Sequence, residues 1–128
     1  MKERDFQVVF GHWLRARWHG TGVFELKLTK TGSLPFSAVK THQEAALLAA
    51  NEAGRGLYFK IPDAGYINPF DCIFLRETPA FVVVRFYKRG GKVFYMIPIG
   101  AWIQKKNSSK RKSLTENEAI NIGIRCEL

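Results

Sequence analysis

The sequence predicts one α/β domain of the α+β kind, with a central mixed β-sheet flanked by helices. Three observations predict it: a helix-periodic opening, a second helical run after an alternating segment, and then four short aromatic, β-branched segments. Phe6, Val9, Phe10, Trp13 and Leu14 recur at helical spacing, so an amphipathic helix runs from about Glu3 to Trp18 and ends before His19-Gly20-Thr21-Gly22. Val23 to Leu28 alternates as a strand does and gives way to a polar turn at Thr31-Gly32-Ser33. "THQE", Thr41 to Glu44, has the form of a capping box in which the Thr41 hydroxyl accepts from the Glu44 amide and the Glu44 side chain reaches back; "AALLAANEAG" then continues the helix to Gly54.

The remainder reads as β structure. "GLYFKI", "DCIFL", "AFVVVRFY" and "KVFYMIPI" are separated by Pro, Gly and Asn. Arg89-Gly90-Gly91 predicts a tight hairpin, because glycines allow the positive φ angles such turns require. Lys105 to Lys112, "KKNSSKRK", reads as a basic low-complexity loop, and Thr115-Glu116-Asn117-Glu118 as a capping box opening a short last helix. No internal repeat or compositional boundary appears, so residues 1–128 form a single domain long enough to bury a core.

Twenty Lys and Arg against eleven Asp and Glu give a formal charge of +9, which favours a polyanionic partner, either nucleic acid or an anionic membrane surface. No apolar run approaches the ~20 residues that span a bilayer, and Met1 to Asp5 lacks the apolar core of a signal peptide, so a soluble, cytoplasmic protein is expected. Cys72 and Cys126 have neither metal-ligand spacing nor the number of a disulfide scaffold, and read as reduced thiols. His12, His19 and His42 are not spaced as zinc ligands.

The chemistry concentrates in "GVFELKLTK", Gly22 to Lys30. Residues i and i+2 of a strand project to one face about 6.6 Å apart, so Glu25 and Lys27 share a face while Phe24, Leu26 and Leu28 occupy the other. Alone, this is most simply a solvent-facing ion pair, which is common and weak. A second carboxylate changes that balance. Asp71 in "NPFDCIFL" opens a strand, and if that strand lies beside Glu25 the two carboxylates could hold Mg²⁺. Lys27 would then stand next to an attacked phosphate. Read without such a metal, Asp71 is an ordinary turn or strand-start residue.

Asp…Glu-x-Lys on a small mixed sheet resembles the PD-(D/E)XK nuclease superfamily, and "FELKLTKTGSLPFSAVKTHQ", Phe24 to Gln43, is similar to RecU-type Holliday junction resolvases, especially their short bacteriophage relatives. The likeness covers the Glu-x-Lys strand, the Pro35-Phe36 turn and the His42-Gln43 helix start. It continues more loosely through "AFVVVRFYKRGGKVFYMIPIGAWI". It implies a restriction-endonuclease-like core and a Mg²⁺-dependent endonuclease acting on branched DNA as a homodimer, with Mn²⁺ able to substitute, working in the host cytoplasm if phage-encoded. Glu25 and Asp71 would be metal ligands together with the Leu26 backbone carbonyl, Lys27 the catalytic lysine, Gln43 a helper at the helix start, and Glu3 an N-terminal acidic residue of the site. Resolvases of this type carry their aspartate shortly before the Glu-x-Lys strand, whereas Gly11 to Phe24 contains no acidic side chain. Asp71 is therefore the substitute and Asp63, in "IPDAG", its competitor; Asp5 competes with Glu3 but faces away from the helix's apolar side.

Beside such a site Lys30, Lys40, Lys105, Lys106, Lys110, Arg111 and Lys112 would contact the phosphate backbone. As a generic charge run they would only be solvated. Trp13, Phe59 and Phe86 are expected in the core. The sequence also admits a catalytically silent nucleic-acid-binding module, or a nuclease acting on duplex ends, nicks or flaps.

Overall fold

The computed structural model describes residues 1–65 and 67–128. In chain order the elements are α1 (Glu3–Arg17), β1 (Val23–Thr29), β2 (Ser33–Pro35), a 3-10 turn (Phe36–Ala38), α2 (Thr41–Asn51), β3 (Leu57–Lys60), β4 (Cys72–Leu75), β5 (Ala80–Phe86), β6 (Val93–Pro98), α3 (Ile99–Ser108), β7 (Ser113–Thr115), α4 (Glu116–Ile122) and β8 (Ile124–Glu127). Four strands make the central mixed sheet in the order β1-β5-β6-β8, with β1 parallel to β5 and the other two pairs antiparallel. β2 with β7, and β3 with β4, form two separate antiparallel ribbons. The chain is thus α+β, with helices on both faces of a mixed sheet.

β5 is buried along its whole length because both of its faces are covered. Phe81 and Val83 face α1, where Phe6 and Phe10 lie under Trp13, Phe24 and Phe94 in a run of edge-on aromatic contacts. Val82 and Val84 face the opposite way, into a core with Leu47 of α2, Trp102 of α3, Leu114 of β7 and Ala119 of α4. β1 is an edge strand paired on one side only. Its register sets Glu25 beside Val82 and Lys27 beside Val84, hence on the α2 face, while Phe24 and Leu26 match Phe81 and Val83 on the α1 face.

Five local expectations are corrected. The α2 N-cap is Lys40, not Thr41: the Lys40 amide donates to Gln43 Oε1 (2.9 Å), and Glu44 is drawn inward instead, accepting from Trp102 Nε1 (2.9 Å) and Lys106 Nζ (3.0 Å). α2 also ends at Asn51, short of Gly54. Lys105 to Ser108 is the last turn of α3, so only the second half of the basic segment is loop, and the chain continues past α4 into β8. Phe59 is exposed, unlike the buried Phe86. The β5–β6 hairpin forms as expected, with Gly90 at φ +77 and the Gly91 amide donating to the Lys88 carbonyl (2.8 Å).

The α4 capping box is reciprocal. The Glu118 amide donates to Thr115 Oγ1 (3.2 Å) and the Thr115 amide to Glu118 Oε1 (3.0 Å), while Lys105 Nζ reaches Glu118 Oε2 (2.8 Å). The Lys105 ammonium first, then the Thr115 amide, hold the Glu118 carboxyl down at about 2. A carboxyl whose folded pKa is depressed stabilises the fold above its unfolded value and loses that contribution as pH falls toward the folded one. Stability is therefore expected to drop between about pH 4.5 and 2. In acid unfolding followed by circular dichroism, Glu118→Gln should flatten that limb; an unchanged limb would remove Glu118 as its source.

Candidate functional site

The site lies where β1 faces the first turn of α2. β1 places Glu25 and Lys27 on one face by alternation, and Lys27 Nζ stands 3.2 Å from Glu25 Oε1. Gln43, from another element, donates through Nε2 to the same oxygen (3.0 Å). The Gln43 amide is itself oriented, because its Oε1 accepts the Lys40 backbone amide that caps α2. The side chains of Lys27 and Glu25 are only 13% and 28% exposed, so this is a partly desolvated cluster rather than a solvated surface pair.

Two oxygens of β1 take no part in these bonds. Among the described residues no side chain donates to Glu25 Oε2. The second is the Leu26 carbonyl. Along a strand the N–H and C=O of one residue point to the same side, and successive residues to opposite sides. The Val23 amide donates to the Pro79 carbonyl and the Thr29 carbonyl accepts from the Tyr87 amide, so the odd-numbered residues of β1 bond toward β5. Leu26 is out of phase with them, and its carbonyl points to the open edge.

The other expected residues are placed as follows. β4 pairs with β3 and not with β1, so Asp71 does not arrive beside Glu25 on a neighbouring strand of the sheet. Pairing partners could not be read from "NPFDCIFL". Asp71 is exposed at the loop end of the β3–β4 ribbon, where its carbonyl accepts from the Ile61 amide (2.8 Å). The Tyr58 phenol nearby is pushed above its ordinary value, first by hydrogen bonding with Cys72 and last by the charge of Asp71. The ribbon flanks the N-terminal part of β1: Ile73 and Leu75 line a groove with Trp18, Gly22 and Phe24. Asp71 itself lies just before β4, in a bend outside the paired strand, and is exposed. Asp63 is exposed in irregular chain. Glu3 begins α1, which covers the sheet face opposite to Glu25, and Asp5 is occupied in accepting from the Lys2 amide (2.8 Å).

The basic residues divide. Lys40, Lys106, Lys110, Arg111 and Lys112 line one concavity, whereas Lys105 is turned to Glu118 and lines a different groove with Gln104 and Ser108; Lys30 is exposed in the bend that follows β1. Thr41, Ser37 and Ser109 join the first group; their closeness depends on the β2–β7 pairing and has no local signature.

Mg²⁺ is held through one or two carboxylates, other hard oxygens, waters and substrate phosphate. The second Glu25 oxygen and the Leu26 carbonyl fit that donor set. Among the described residues no three His, Cys, Asp or Glu side chains gather into a ready-made metal cage. No helix among them is long and apolar enough to cross a membrane. Cys72 and Cys126 are free thiols.

No protein-family model, curated protein or solved structure matches this chain.

Proposed function

We propose that the protein is a Mg²⁺-dependent, structure-selective DNA endonuclease, a Holliday junction resolvase on a restriction-endonuclease-like core. The observation that carries this reading is the convergence of Glu25, Lys27 and Gln43, with Gln43 brought from 18 residues away onto the Glu25 carboxylate. An exposed ion pair contributes about 0–1 kcal/mol and calls for no third group to orient it. Here the carboxylate is fixed by two donors on one oxygen, while among the described residues no side chain donates to the other, which leaves it for a metal.

When bound, Mg²⁺ would offset charge on the phosphodiester and lower the pKa of a coordinated water. Glu25 and the Leu26 carbonyl would hold it, with Asp71 as the second carboxylate from the ribbon flanking the open edge. Lys27 places an ammonium beside the attacked phosphate, where it orients the water or balances developing charge. Gln43 keeps the Glu25 carboxylate in one orientation. The reading needs no role for Glu3.

Two opposed cuts require two sites related by symmetry, which a homodimer with twofold symmetry supplies. The net charge of +9 and the basic concavity favour recognition of phosphate and shape over base edges. The test is incubation of a synthetic four-way junction with the protein in Mg²⁺. Paired nicks in opposing strands are expected, with Lys27→Ala slower by roughly 10²-fold or more. Cutting at the same rate by the variant would end the assignment, and cutting of nicks or flaps alone would change the substrate. The five cations that line one concavity favour one other reading, a silent DNA- or RNA-binding module. It predicts binding without divalent metal and no cleavage of any branched substrate.

A further inference from the structure

The concavity beside α2 is built by the fold and not by an accident of charge. β2 and β7 pair with Pro35 opposite Ser113, and the Phe36 amide donates to the Lys112 carbonyl (3.0 Å). This ribbon brings Ser109 to Lys112 against Phe36 to Thr41, far away in sequence, and leaves an open concavity of about 660 Å³ between them. Its lining carries five cations, Lys40, Lys106, Lys110, Arg111 and Lys112, three hydroxyls, and no carboxylate. Only Lys106 is spoken for, by Glu44 beneath it. Lys110, Arg111 and Lys112 have no acidic partner within ion-pair distance among the described residues. The first turn of α2 forms one wall, adding the field of an 11-residue helix to that of the side chains.

We infer that this concavity is a seat for one internucleotide phosphate of the DNA, a neighbour of the phosphate held at Glu25 and Lys27. The single turn of α2 from Lys40 to Gln43 separates the two positions. One turn is about 5.4 Å along the axis, no more than the distance between successive phosphates along a strand, so the seated phosphate is the immediate neighbour of the attacked one. The seat communicates with the site by covalent structure: Lys40 lines the seat, and its amide holds the Gln43 side chain that orients Glu25. A strand anchored there lies across the N-terminus of α2 with its register fixed. This inference rests on the nuclease reading for the identity of the strand, and its test is one of binding.

The full chain is titrated against a fluorescently labelled four-way junction in EDTA, where no cleavage occurs, over a series of salt concentrations. The slope of log K against log salt is about −0.9 for each phosphate contacted on B-DNA. If Lys110, Arg111 and Lys112 converge on one phosphate, the triple variant K110A/R111A/K112A should lose about 0.9 of slope. Three separate contacts would lose about 2.7, and no change would mean no contact; either overturns the seat. Replacing single phosphates near the branch point by uncharged methylphosphonates gives the second arm. One position should weaken binding of the wild type and leave the triple variant unaffected, while equal effects at all positions overturn the inference. The three residues are exposed, and a thermal melt confirms that the variant is folded. A chain that shows the seat and never cuts DNA in Mg²⁺ would overturn the nuclease reading and leave the seat standing.

Discussion

Glu25→Ala is expected to abolish junction cleavage, by on the order of 10³-fold or more, while DNA affinity in EDTA stays level or rises. The loss follows from removing the carboxylate that the metal requires, a contribution of several kcal/mol to the transition state. The gain follows from electrostatics, since a carboxylate facing a phosphate repels it and the variant does not. Lys27 would lose its partner at 3.2 Å and Gln43 its acceptor at 3.0 Å, so neither could stand in for the missing ligand. The two readouts together separate a site from a surface ion pair. A cleavage assay paired with fluorescence anisotropy checks both, and a variant that cuts as fast as wild type removes Glu25 from the chemistry.

The largest effect on stability is expected at Trp102. Its indole is fully buried, packs edge-on to Phe36 with centroids 5.3 Å apart, and donates from Nε1 to Glu44 Oε2 (2.9 Å). Trp102→Ala should cost about 3–5 kcal/mol, the range for emptying a large aromatic site in a core. Trp102→Phe keeps most of the volume but takes a donor from a carboxylate that is only 8% exposed, at a cost of about 1–3 kcal/mol. Lys88→Ala, which breaks the pair with Glu116 from a side chain 73% exposed, should change stability by less than about 1 kcal/mol. Urea unfolding with an unchanged m-value measures all three. If Trp102→Phe matches wild type, Lys106 alone suffices to hold Glu44.

Much of the scaffold was legible because local and tertiary signals agree in it. α1 shows its apolar stripe, β1 its alternation, β5 and β6 their β-branched runs, and Thr115 to Glu118 its reciprocal cap. α3 was hidden because Lys105 to Ser109 resembles low-complexity loop, although Ile99, Trp102 and Ile103 have helical spacing and Pro98 precedes them as N-cap. β2, β7 and β8 are three or four residues long and exist through their pairing, which has no local signature. The α2 cap was misplaced because Glu44 had two competing uses, and burial against Trp102 and Lys106 prevailed over reaching back to Thr41.

The candidate site divides along the same line. Glu25 and Lys27 follow from alternation on one strand, whereas the hydrogen bond from Gln43 to Glu25 spans two elements and has no local signature in the sequence. The open edge of β1, and with it the outward Leu26 carbonyl, depends on strand order, as does the separation of β4 from the central sheet. The basic segment could be seen as charge. Which of its lysines act together could not, because Lys105 and Lys106 point to different carboxylates on different helices.

Line broadening by Mn²⁺, which suits the same carboxylate and carbonyl ligands as Mg²⁺, gives the most direct measurement of an ion at Glu25. On the ¹⁵N-labelled full chain, substoichiometric Mn²⁺ should selectively broaden the amides of Glu25, Leu26 and Asp71 in one saturable step that Glu25→Ala abolishes. Sharp signals at Glu25 and Leu26 at every Mn²⁺ concentration, or broadening at Asp71 alone, would contradict a metal-dependent nuclease centred on this strand.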